Sequence, residues 1–280
     1  MRRLLLLGMA IMTMAGVPAW AQGAEPPRRL VVFGDSLSDT GNAGRFSNGP
    51  VWVEHMARAL GTELRPALTG GANYAVGGAR VRGGAYDLRA QADLFLARGG
   101  PAREGTLFVV WGGGNDLLAA GSVADRDALA RGAGRDLGGI VADLAAAGAR
   151  HFLVPNLPDV GRTPAISGQG QSWSAEARRL TLLFNAALEE ALARVEARHP
   201  GVRIDRLDVF AMAERVFADP GTSGFTDART PCPGGACAGY VFWDQVHPTT
   251  AAHARLARAA LETVGLDAAQ EDGEVSLGRR

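Results

Sequence analysis

Cysteine, histidine, aromatic side chains and net charge are all scarce in this 280-residue chain. The formal charge at pH 7 is zero, from 29 basic and 29 acidic residues, so the sequence offers no electrostatic footprint for nucleic acid. Aromatics make up 6% of residues, but hydrophobic residues reach 47% and glycines number 38, a composition of tight turns around a core rather than of disorder. Cys232 and Cys237 are the only cysteines, in TPCPGGACAGY. An even count at close spacing, with Pro and Gly between, predicts a small disulfide loop in an exported protein. Free thiols and a metal site are the alternatives; His247 is the only histidine near in sequence, and no second cysteine pair exists.

One apolar run stands out, at the N-terminus. MRRLLLLGMAIMTMAGVPAWAQ puts Arg2 and Arg3 before about a dozen apolar residues, then Pro18 and the small-residue pattern Ala19-Trp20-Ala21. This predicts a signal peptide over 1–21 and a periplasmic or extracellular protein. A membrane anchor is the alternative, but the run falls short of the ~20 apolar residues that span a bilayer. Losing the two arginines leaves a formal charge of about −2. The remaining length, about 259 residues, fits one domain, expected over 26–265, with a polar tail over 266–280.

Strand and helix patterns alternate along that domain. Leu30–Phe33, Thr106–Trp111 (TLFVVW), His151–Pro155 and Val202–Val209 read as strands, with a further short strand expected at Asn73–Val76. Helices are predicted over Pro50–Leu60, Leu88–Arg98, Asp125–Ala147, from a Ser174 N-cap to Arg198, onward from Val209 through Ala218, and over Thr249–Val264. Such alternation implies right-handed crossovers and a parallel sheet covered on both faces, a three-layer α/β doubly wound fold. Functional groups in such folds collect beyond the carboxyl ends of strands. GDSLSD, AVGGAR and GGGNDL all fall there.

Ser36, in GDSLSD, is either a turn residue or a nucleophile. A neutral hydroxyl needs a base within hydrogen-bond reach and a third group to orient that base. Of the five histidines, His55, His151, His199 and His253 occupy ordinary helix or strand positions. His247 differs, standing in VFWDQVHPTTAAH three residues after Asp244 and just before a helix. An Asp-x-x-His turn lets the carboxylate fold back on Nδ1–H and aim Nε2 outward. The plainer reading makes the two helix-entry residues, Asp244 capping and His247 solvated. Acyl transfer also needs donors for an oxyanion, and Gly77-Gly78 and Asn115 are candidates.

Together these segments resemble the GDSL or SGNH hydrolases. The four blocks read GDSLSDTGN (Gly34–Asn42), NYAVGGA (Asn73–Ala79), GGND (Gly113–Asp116) and DQVHP (Asp244–Pro248), in order across nearly the whole mature chain. GRFSNGPVW (Gly44–Trp52) and the paired cysteines resemble the secreted bacterial lipase and phospholipase branch. The resemblance implies a flavodoxin-like SGNH fold and a serine esterase, with Ser36 as nucleophile, His247 as base and then acid, and Asp244 orienting it. It implies an oxyanion hole from the N–H of Ser36, the N–H of Gly78 and the side chain of Asn115, with Gly77 the rival to Gly78. Asp35 and Asp116 are expected to brace turns. No metal or organic cofactor is implied; the expected substrate is a small-molecule or lipid ester, met by a monomer with at most transient contact with a membrane surface. Acyl transfer to an alcohol is the nearest alternative. A silent binding protein would lack a triad member, and none is missing. A metal-dependent phosphoesterase needs histidine and carboxylate clusters that the sequence lacks, and no serine sits in the Gly-x-Ser-x-Gly of ordinary lipases.

Overall fold

The computed structural model describes residues 27–100 and 104–266. The predicted signal peptide at 1–21 and the tail after Leu266 lie outside the described residues. In chain order the elements are β1 (Arg29–Gly34), α1 (Trp52–Ala59), α2 (Leu88–Ala97), β2 (Thr106–Trp111), α3 (Gly114–Leu118), α4 (Arg126–Ala146) and β3 (His151–Pro155). Then come α5 (Pro164–Ser167), α6 (Gln171–Arg198), β4 (Arg203–Leu207), α7 (Val209–Ala218), β5 (Asp227–Pro231), β6 (Tyr240–Phe242) and α8 (Thr250–Thr263).

β1 to β4 form one parallel sheet in that order. All six residues of β2 are buried, which explains its unbroken apolar run: a central strand covered on both faces has no polar side. One core layer packs Phe33, Phe108, Leu137, Phe152 and Phe184 between the sheet and α2, α4 and α6. The other packs Val32, Trp52, Met56, Leu107 and Leu153 against α1 and α8. Both sets come from the same strands by the period-2 alternation of side chains. Phe184 is fully buried, and truncating such a ring to alanine typically costs about 3–5 kcal/mol.

The strand expected at Asn73–Val76 is only partly built. Tyr74 and Val76 donate their N–H groups to Val32 and Gly34 of β1, at 2.7 and 3.1 Å, but the ladder stops at one bridge, between Val32 and Asn73. The next ladder bond is missing because the Gly34 N–H goes to Gln91 Oε1, while on the side away from β1 Asn73 Oδ1 accepts from the Ala75 N–H and Asn42 Nδ2 donates to the carbonyls of Asn73 and Ala75. This segment lies on the outer edge of β1, so the second extended segment in sequence flanks the first while the third, β2, pairs on the other side. The crossover direction therefore reverses between β1 and β2, and the crevice beyond their carboxyl ends is where such sheets bind ligands.

Two other expectations need correction. Ser174 does not cap α6, which starts at Gln171 after Gly170; its hydroxyl donates to the Gly161 carbonyl instead. The small sheet of β5 and β6 was not foreseen, because DARTP carries none of the apolar alternation that marks a strand. No helix among the described residues is long and apolar enough to cross a membrane.

Candidate active site

The carboxyl end of β1 carries Asp35 and Ser36, and the carboxyl end of β2 carries Asn115 on α3. Gln91 of α2 clamps the end of β1, accepting from the Gly34 N–H at 2.9 Å and donating to its carbonyl at 2.8 Å. Asp39, fully buried, ties the loop after Ser36 together by accepting from the N–H groups of Gly41, Asn42 and Ala43. It also accepts from the N–H of Gly77 at 2.8 Å, joining two of the strand-end segments. Asn73 adds a second tie, donating to the Ser38 carbonyl at 2.7 Å.

His247 arrives from the far end of the chain. Asp244 Oδ1 accepts from the N–H groups of Val246 and His247 at 2.8 and 2.7 Å, and the Trp243 N–H donates to the His247 carbonyl, closing a tight turn. That turn is pinned on its C-terminal side: Ser47 Oγ donates to the Pro248 carbonyl, and Thr250 donates its N–H to Asn48 and its hydroxyl to the Pro50 carbonyl. Cys232 and Cys237 are joined, and the Cys232 N–H donates to the carbonyl of Phe242, just ahead of the turn.

The result is a continuous hydrogen-bonded chain. Asp244 Oδ2 lies 2.7 Å from His247 Nδ1, and His247 Nε2 lies 2.9 Å from Ser36 Oγ. Burial pushes the Asp244 carboxyl up, but the Val246 and His247 N–H groups and the ring outweigh this and hold it below the usual carboxylate range. Asp244 is thus ionised at neutral pH, and a carboxylate can only accept from Nδ1–H, which turns Nε2 toward the serine hydroxyl.

Donors for a developing negative charge are present. Ser36, Asn115 and His247 line one cleft with Leu37, Trp111 and Pro158. Asn115 spends one amide hydrogen on the Ala79 carbonyl at 2.9 Å, which fixes the side chain and leaves its other hydrogen available. Between the two rival glycines the hydrogen bonds discriminate. The Gly77 N–H is taken by Asp39, whereas the Gly78 N–H has no partner among the described residues. Gly78 has φ +78°, a left-handed conformation that a Cβ disfavours.

Asp35 and Asp116 are almost fully buried; Asp35 sits in the bend after β1, whereas Asp116, expected in a turn, lies in the first turn of α3 and braces the segment at Val81. Asp35 accepts from the Leu37 N–H and Asp116 from the Val81 N–H, each at 3.0 Å. Burial, with a further push from Asp116, raises Asp35 to about 7; burial raises Asp116 to about 6. One residue escaped the sequence reading. The Phe46 ring centroid lies 5.2 Å from that of His247, and the ring leaves no room for a side chain at Gly77. Its signal was the GRFSNGPVW segment, read only as a resemblance.

The sequence profile of the family described as GDSL-like Lipase/Acylhydrolase matches residues 30–260. The chain belongs to that family. This acylhydrolase is a carboxylic ester hydrolase. It is 28% identical to a phosphatidylcholine-sterol acyltransferase of Aeromonas hydrophila, over 83% of this chain and 88% of the other. It is 29% identical to a thermolabile hemolysin of Vibrio parahaemolyticus, over 84% of this chain and 63% of that longer one. Among solved structures, an acetylxylan esterase from Geobacillus stearothermophilus superimposes with a TM-score of 0.54, covering 87% of this acylhydrolase and 97% of the other chain at 17% identity, a likeness of fold.

Proposed function

We propose that this acylhydrolase is an exported serine esterase that cleaves carboxylic esters through an acyl-enzyme on Ser36. Ser36 Oγ attacks the ester carbonyl carbon as its proton passes to His247 Nε2, and the carbonyl oxygen becomes an oxyanion. His247 then returns that proton to the leaving alcohol oxygen as the C–O bond breaks, leaving an ester on Ser36. Water attacks this ester, giving its proton to His247; the ring passes it back to Ser36 Oγ as the acid departs. Asp244 orients the ring and stabilises its charged form. The N–H groups of Ser36 and Gly78 and the amide of Asn115 receive the oxyanion.

The observation that carries this reading is the unbroken contact from Asp244 through His247 to Ser36 beside amide donors left unspent. The joined Cys232–Cys237 pair supports an oxidising compartment, as does the leader-like sequence. A serine-reactive organophosphonate is the direct probe: mass spectrometry is expected to find it on Ser36, with activity lost in step and retained in EDTA. Labelling elsewhere, or activity that survives full labelling, overturns the assignment. Acyl transfer to an alcohol is the second reading, favoured by the name of the Aeromonas relative. Partitioning of product between acid and new ester, measured with added alcohols, separates the two.

A further inference from the structure

A second space opens beside the cleft, between α7, α8 and the β5–β6 region. The cavity has a volume of about 130 Å³, and apolar side chains make up most of its lining. Leu37, Trp111, Pro158, Thr163 and Val246 line both this cavity and the cleft that contains Ser36. Leu37 follows the serine directly and Val246 precedes the histidine, so the two spaces share a wall at the reacting centre.

The far wall is made by Met212 and Val216 of α7, Phe225, Phe242 and Leu256. α7 presents Met212, Ala213, Val216 and Phe217 at helical spacing, yet all four stay only half-buried. An apolar helix face left partly open toward a cavity is a surface awaiting an apolar occupant. The polar lining is muted. Asp159 is bonded to Arg178, and the Arg255 guanidinium lies over the Phe225 ring at 5.4 Å. His253 is fully buried with neither ring nitrogen bonded, and burial holds the ring neutral down to about pH 3. No charge on that ring opposes an alkyl chain. The hollow around Gly78 is mixed, with Arg80, Arg82, Tyr86 and Asp87 in its lining.

We infer that the cavity is an acyl-chain pocket, so that the preferred substrates are esters of straight-chain fatty acids rather than of acetate. The inference rests on the acyl-enzyme reading above and names the acid half of its substrate. A carbonyl carbon at Ser36 lies where the shared wall begins, and each methylene that follows it into the cavity leaves water.

Hydrolysis of p-nitrophenyl esters from acetate to octanoate, below their aggregation limits, is the first test. The value of kcat/KM is expected to climb with chain length, by roughly fourfold for each methylene that becomes buried. Met212→Trp and Val216→Trp fill the cavity and are each expected to lower the octanoate-to-acetate ratio of kcat/KM at least tenfold. A maximum at acetate, or a ratio unmoved by both substitutions, overturns the pocket. Calorimetry on Ser36→Ala supplies a readout free of turnover: octanoate is expected to bind, and to bind at least tenfold more weakly once Met212→Trp is added. Equal binding by the single and double variants also overturns the pocket. Failure of the serine mechanism is told apart, because Ser36→Ala would then keep its esterase activity while octanoate binding still decides the cavity.

Discussion

His247 Nε2 sits 2.9 Å from Ser36 Oγ although 211 residues separate them in sequence. Two sets of contacts bring the ends of the chain together: the Asp244 turn that aims the ring, and the bonds from Ser47, Asn48 and Pro50 that moor the Pro248–Thr250 segment beside the loop following β1. The imidazole is therefore held by its own backbone and by the Ser36 side of the molecule at once.

Ser36→Ala and His247→Ala are each expected to lower kcat for p-nitrophenyl butyrate by roughly 10⁴-fold or more with little change in circular dichroism, because the nucleophile and its base act as one unit. Asp244→Asn and Asn115→Ala are expected to cost less, about 10²-fold or more, since one orients and the other supplies one donor among several. Activity surviving in His247→Ala but lost in His55→Ala or His253→Ala would mean that the base is another histidine.

Phe46 buttresses the ring of His247 and packs on Gly77, so Phe46→Ala is expected to reduce kcat by about ten- to a hundredfold, through a base that is less well positioned. Phe46→Leu keeps most of the bulk and should recover part of that loss. The steady-state kinetics of the two variants check this; equal, wild-type rates would remove Phe46 from the site.

Asp35 provides a pH signature. Its carboxyl is raised from 3.8 to about 7 by burial, so between those values the folded protein holds a proton that the unfolded chain has released. Its contribution to stability is greatest below about pH 4 and declines as pH rises toward 7, by roughly 4 kcal/mol in all. His253 acts in the opposite sense, because its folded pKa is depressed to about 3 and stability from this group is lost as pH falls below the ordinary histidine value. Asp35→Asn isolates the first effect: it should gain stability relative to the parent as pH rises from 4 to 7.5, as measured by urea denaturation at several pH values. A difference that stays flat with pH would mean that Asp35 ionises normally.

The Cys232–Cys237 link closes a loop of few residues, and a chain-entropy account of so short a loop gives about 2 kcal/mol. Cys232→Ser with Cys237→Ser is expected to lower Tm by several degrees and to slow turnover modestly, because Cys232 is bonded to the strand that leads into the Asp244 turn. Unchanged melting and rate in the double variant would deny the link any role.

By itself the sequence determined the layers. TLFVVW and its neighbours carry strand and helix periods that are local properties of the chain, and the Asp-x-x-His spacing makes its turn within four residues. It also pointed to Ser36, Asp244 and His247, which the fold joins by hydrogen bonds. Other features are contacts across the fold, and no local pattern encodes them. The Gly77 N–H is engaged and that of Gly78 unspent because Asp39, from a distant loop, reaches only the first. Asn73–Val76 halts short of a full strand because the Gly34 N–H, which would continue the ladder to the Tyr74 carbonyl, is given to Gln91 of α2. Phe46 meets His247, and the apolar cavity meets the serine cleft, only where segments far apart in sequence pack side by side. Backbone period is set residue by residue, whereas the partner of a donor or the space behind a side chain exists only once the whole chain has closed around it.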